Sequence, residues 1–125
     1  MTKIFIAIAA ILGALSVGCG AFASHALKEQ ISARSLEIFE TGAKYQMYHA
    51  LALLLVALLL TRLEFIPTTL VASGISFIVG VVLFSGSLYA LSLTGVKWLG
   101  AITPLGGVAF LVGWGCLAIS AWNFN

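Results

Sequence analysis

Four apolar segments joined by short polar links take up nearly all of the 125 residues, and they fix the class of structure before any motif is read. Ile4–Phe22, Tyr45–Thr61, Ile66–Leu91 and Leu99–Trp122 are each long enough to cross a bilayer as a helix. Such a crossing takes about 20 apolar residues at about 1.5 Å rise per residue. Charged residues make up 8% of the chain and the mean hydropathy is +1.15. A soluble domain carries about 25% charged residues, so a water-soluble fold is excluded. The expectation is an all-α polytopic membrane protein: one four-helix antiparallel transmembrane bundle formed by residues 1–125 as a single domain.

Charge says more about partners than about chemistry. The net charge is +2, and the six basic residues are scattered at Lys3, Lys28, Arg34, Lys44, Arg62 and Lys97. They form no stripe that would follow nucleic acid, and no dense basic run of the kind that recruits anionic lipid. The first and third links hold Lys28, Arg34, Lys44 and Lys97, against Lys3 and Arg62 on the other side. The positive-inside rule then puts those links in the cytoplasm and both termini outside it, in a multi-pass protein of the plasma (bacterial inner) membrane. Lys3, an apolar run and Ala21-Phe22-Ala23 imitate a cleavable signal. The run is about 18 residues, longer than a signal core, so a retained span is expected. Cys19 and Cys116 lie in no CxxC-type spacing and read as small buried hydrophobes.

Small residues recur along the spans: Ala7, Ala10, Ala14 and Gly18 in the first, with Gly13, Ser16 and Gly20 beside them. Ala72, Ser76 and Gly80 do the same in the third, and Gly106, Ala109, Gly113, Cys116 and Ser120 in the fourth. Close packing drives helix association in lipid, so these stripes predict helix–helix contacts and offer faces for a homo-oligomer. From Ser35 onward, Leu36, Phe39, Ala43, Met47, Ala50 and Leu54 follow one helix face. That periodicity predicts a helix from about Ser35 to Arg62 that starts well outside the hydrocarbon. Glu40 and Lys44 stand at i,i+4 in the favourable order. Arg62–Ile66 is short enough to force a hairpin, and Thr103-Pro104-Leu105-Gly106-Gly107 should kink or loosen the start of span four.

Antiparallel packing gathers the polar residues. His25 ends span one; Tyr45, Gln46 and His49 open span two; Ser85, Ser87 and Tyr89 close span three; Thr103 opens span four. All fall in the half of the membrane next to the first and third links, with His49 about a turn inside. Polar side chains in a bilayer are costly and turn to the bundle interior or a cavity, so these eight residues are the candidate ligand-binding set. The reading they support is a non-enzymatic membrane protein that binds a small molecule, a lipid or a partner helix in this polar half. A small transporter or channel is the second reading, although span one lacks the buried acid that a proton-coupled cation exporter needs. A redox protein is the third, with haem or metal held by His25 and His49 and with Glu37 or Glu40 completing a metal site. No catalytic residues, metal set or required cofactor emerge: there is no nucleophile–base spacing, and Gly106-Gly107 is not followed by a phosphate-loop lysine.

Four ordered segments carry a resemblance. They are Gly20-Ala21-Phe22-Ala23-Ser24-His25-Ala26-Leu27-Lys28; Tyr45-Gln46-Met47-Tyr48-His49-Ala50-Leu51-Ala52; Leu83-Phe84-Ser85-Gly86-Ser87-Leu88-Tyr89; and Gly100-Ala101-Ile102-Thr103-Pro104-Leu105-Gly106-Gly107. Together they resemble the small bacterial inner-membrane proteins known as domain of unknown function 423, or uncharacterised protein family 0382. Ser24 departs from the glycine or alanine expected before His-Ala-Leu. The resemblance spans essentially the whole chain and implies a four-helix membrane protein without assigning an activity.

Overall fold

The computed structural model describes residues 1–124, and among them there is no β-strand. Five α-helices are present: α1 (Thr2–His25), α2 (Ala33–Leu60), α3 (Thr68–Gly80), α4 (Gly86–Thr94) and α5 (Thr103–Ser120). A π-helical turn, Val81–Ser85, joins α3 to α4, so Thr68–Thr94 runs as one span. With the 3₁₀ turns Lys97–Ala101 and Ala121–Asn123 added to α5, four stretches are long and apolar enough to cross a membrane.

Helix α2 begins earlier than its apolar periodicity suggests because Ser32 caps it, its Oγ accepting the Ser35 N–H at 3.1 Å. It does not project beyond its neighbours. Ser16 Oγ donates to the Ala43 carbonyl at 2.6 Å and Gln46 Nε2 to the Leu12 carbonyl at 2.8 Å, which sets the α1–α2 register. In that register Arg34 is level with His25, so the start of α2 is flush with the end of α1. The long helix expected from about Ser35 to Arg62 is present as Ala33–Leu60, and Glu40 and Lys44 run alongside the body of α1.

The helices pack in sequence order, α1 on α2, α2 on the α3–α4 span, and that span on α5. Half of the most apolar stretch of α2 is buried, against 17% for α1 and for span four, so the middle two spans form the interior. Leu53, Val56, Ala57, Leu60, Leu70 and Phe77 fill the core. The small residues of the third and fourth spans serve as seats for aromatic rings. Phe110 lies on Gly80, Phe77 on Gly113, and the Phe84 backbone on Gly106; Phe5 of α1 lies on Gly74. In α1 the small stripe points the other way. Ala7, Ala10, Ala14 and Gly18 are exposed, whereas Phe5, Ala9, Ser16 and Ala23 form the packed face.

The break expected in span four lies at its start. The 3₁₀ turn gives way to α5 at Ile102, and Pro104 sits in the first turn, where its missing N–H costs nothing. The irregular mid-span turn is instead in span three, where the Gly86 N–H reaches the Val81 carbonyl in an i→i+5 bond. Gly95, at φ 70°, closes α4 in the left-handed conformation that glycine adopts without strain.

Candidate functional site

Three helices meet on Gln46. Its Nε2 donates to the Leu12 carbonyl, and its Oε1 accepts the Tyr89 hydroxyl at 2.7 Å. The side chain is buried, so one amide ties α1 and α4 to α2. The Tyr89 ring rests on Phe39 at 4.9 Å and over Gly42, whose missing side chain leaves room for it. Ser85 Oγ donates to the Gly42 carbonyl at 2.7 Å, one residue from the Ala43 carbonyl that takes Ser16. Neighbouring helices on both sides thus bond consecutive carbonyls of α2. Ser87 and Thr103 share a 2.6 Å hydroxyl contact that joins α4 to α5, and Ser87 also donates to the Phe84 carbonyl beside the π turn. Among the described residues no buried side-chain nitrogen or oxygen lacks a partner, as a lipid-embedded interior demands. Tyr89→Phe should therefore cost about 1–2 kcal/mol by orphaning Gln46 Oε1, read as a lower melting temperature in detergent.

His49 lies elsewhere, and deeper. It packs against Phe77, Phe110 and Trp114, each in the central part of its span, and the α1–α2 register sets it level with Ala10. The ring stacks on Phe110 with centroids 3.5 Å apart and planes 8° from parallel. Its Nδ1 bonds the Tyr45 carbonyl at 2.8 Å, so that nitrogen carries the proton. Its Nε2 is then the acceptor that takes the Trp114 indole N–H at 3.1 Å. Trp114 and Phe110 were not among the candidates from sequence. The signal was available: Trp114 stands mid-span, unlike the interfacial Trp98 and Trp122, and a mid-membrane indole N–H needs an acceptor.

Tyr45 and Phe84, with rings 4.7 Å apart, continue this aromatic wall towards Pro104. The wall borders a cleft of about 460 Å³ between α2, the π turn and α5, with Gly107 in its lining and His49 and Trp114 at its deep end. No carboxylate lines it. The eight sequence candidates therefore separate. Gln46, Tyr89 and Ser85 hold the helices together, Ser87 pairs with Thr103, and Tyr45 and His49 line the cleft. His25 is exposed at the end of α1, about 22 Å along the bundle from the level of His49. At that spacing the two histidines cannot share an iron or another metal ion. Among the described residues no three His, Cys, Asp or Glu side chains converge.

Helices of this length and apolarity, stitched by buried serine, glutamine and histidine bonds, define an integral membrane four-helix bundle. The profile of the family described as "Protein of unknown function (DUF423)" matches residues 19–107. The UPF0382 membrane protein YwdK of Bacillus subtilis is 48% identical over 122 residues, covering 98% of each chain. A UPF0382 membrane protein of Staphylococcus epidermidis is 42% identical over 122 residues, again covering 98% of each chain. One from Haemophilus influenzae is 38% identical over 123 residues, covering 98% of this chain and 97% of its own. The chain belongs to this family of membrane proteins. No solved structure matches it.

Proposed function

We propose that this protein is a non-enzymatic membrane protein that binds a small, largely apolar molecule in the cleft between α2, the π turn and α5. The observation that carries this reading is the mid-span His49–Trp114 pair at the end of an aromatic cleft. Such a cleft offers ring faces for an apolar body, and at its end a polar pair able to exchange its mutual bond for one to a ligand. The absence of a carboxylate in the cleft lining favours binding over proton-coupled transport. The test is mass spectrometry of small molecules that co-purify with the wild type and with Gly107→Phe. Gly107 lines the cleft and a Cβ placed there meets nothing within 4 Å, so the new ring is expected to occupy the cleft. A compound retained by the wild type and lost from Gly107→Phe is the expected result. Identical profiles from the two proteins would overturn the reading.

The orientation proposed is that of a multi-pass protein of the plasma (bacterial inner) membrane, with the first and third links cytoplasmic. Charge distribution supports it, Lys28, Arg34, Lys44 and Lys97 against Lys3 and Arg62. A fluorescent protein fused after Asn125, which lies outside the described residues, should stay dark, and an alkaline phosphatase fused there should be active. The reverse pattern would invert the topology.

A further inference from the structure

The α1–α2 face carries a second feature, separate from the cleft. Two adjoining hollows of about 420 and 270 Å³ share Val17 and Met47 as walls and form one groove along the outside of these helices. Its floor is the small-residue side of α1: side chains begun at Gly13 or Gly20 would meet nothing within 4 Å. From the level of Gly20 to that of Ile6 it runs about 21 Å, more than the roughly 15 Å of one leaflet's hydrocarbon. One end is apolar, with Ala10, Ala14, Leu51 and Leu54. The end nearer the first link holds one cation and one anion, Lys44 and Glu40.

These two charges decide the occupant. They stand one helical turn apart in the order that favours pairing, yet the only ion pair among the described residues is Arg34–Glu37, at 3.0 Å. Glu40 and Lys44 thus face the same groove without being bonded to each other. In the α1–α2 register Glu40 is level with Cys19 and Lys44 with Leu15, depths at which an unpaired charge is costly unless it reaches the interface or meets a counter-charge. A second copy related by a two-fold axis along the membrane normal would bring its own Glu40 and Lys44 to the same depths, like charge beside like. An anionic lipid would satisfy Lys44 and be repelled by Glu40.

We propose that the groove binds one phospholipid with a phosphoethanolamine headgroup: phosphate on the Lys44 ammonium, primary ammonium on the Glu40 carboxylate, and an acyl chain along Gly13 and Ala10. The complementarity is chemical as well as electrostatic. A primary ammonium donates hydrogen bonds to a carboxylate, whereas the trimethylammonium of a choline lipid has no N–H to give, and a glycerol headgroup carries no cation.

The test is native mass spectrometry of the detergent-solubilised full chain with an equimolar mixture of dioleoyl phosphatidylethanolamine, phosphatidylcholine and phosphatidylglycerol. One bound lipid is expected, with the ethanolamine lipid favoured about tenfold over the choline lipid, the ratio that one charge-assisted hydrogen bond gives. Glu40→Gln should abolish that preference while leaving phosphate binding, and Lys44→Gln should weaken retention of all three lipids. Lys44 is exposed and Glu40 half-buried, so both variants are expected to fold, with an unchanged melting temperature as the control. Equal retention of the three lipids by the wild type, a preference that survives Glu40→Gln, or a dimer in place of the lipid adduct would each overturn the proposal.

Discussion

Gly106→Ala should destabilise the bundle by about 3 kcal/mol, whereas Gly107→Ala, one residue on, should leave it unchanged or more stable by up to about 1 kcal/mol. The two substitutions add the same methyl group to the same turn of α5. At Gly106 that methyl falls on the Phe84 backbone nitrogen and within 2.6 Å of the Phe84 Cβ. Backbone cannot rotate aside as a side chain can, so the helices must separate or the π turn must rearrange. At Gly107 it enters the cleft, with nothing within 4 Å, and the helix gains from losing a flexible residue. Thermal unfolding of the three proteins in one detergent reads the difference directly. Equal melting temperatures for Gly106→Ala and the wild type would mean that α5 does not approach Phe84 this closely.

This contact also explains why some of the fold was legible in the sequence and some was not. Span number and helical class follow from apolar length alone, because a bilayer leaves a chain few other ways to satisfy its backbone. Small residues correctly mark the α5 face, where Gly106, Gly113 and Ser120 are buried. In α1 only part of the signal is used within the chain, Ser16 being buried against the Ala43 carbonyl, because a small residue permits a close approach without requiring one. The stripe of Ala10, Ala14 and Gly18 there stays exposed. The π turn is invisible to periodicity: it adds a single residue to a span apolar on all sides, and what holds it is Phe84 seated on the glycine of another helix.

Depth is what the sequence alone leaves undetermined for the polar set. Counting from the end of the first link makes His49 look shallow and level with His25, Ser85 and Thr103. Register is set instead by side chains that cross between helices, Ser16 to Ala43 and Gln46 to Leu12, and no local pattern announces those partners. Once they are known, His49 moves to the middle of the bundle and His25 is left at its edge. The polar residues then read as two separate devices: bonds around Gln46 and Ser87 that fix helix positions, and an aromatic wall around His49 that borders open space.

His49→Ala is expected to cost about 3 kcal/mol, more than His49→Phe, which should cost about 1–2 kcal/mol. Lipid chains are as apolar as the core, so transfer out of water contributes little here, and the loss comes from packing and hydrogen bonding. Alanine removes the ring stacked on Phe110, leaves a cavity between α2 and α5, and orphans the Trp114 N–H. Phenylalanine restores the stack and fills the space but still offers Trp114 no acceptor. The difference between the two variants thus isolates the ring contact, and Trp114→Phe combined with each isolates the indole bond as a coupling of about 1 kcal/mol. The tautomer gives a second readout. Because Nδ1 faces the Tyr45 carbonyl and Nε2 faces an N–H donor, ¹⁵N NMR of the ring should show Nδ1 protonated and Nε2 bare. A proton on Nε2, or melting of His49→Ala at the wild-type temperature, would place the ring outside the α2–α5 interface and remove the wall that the proposed cleft depends on.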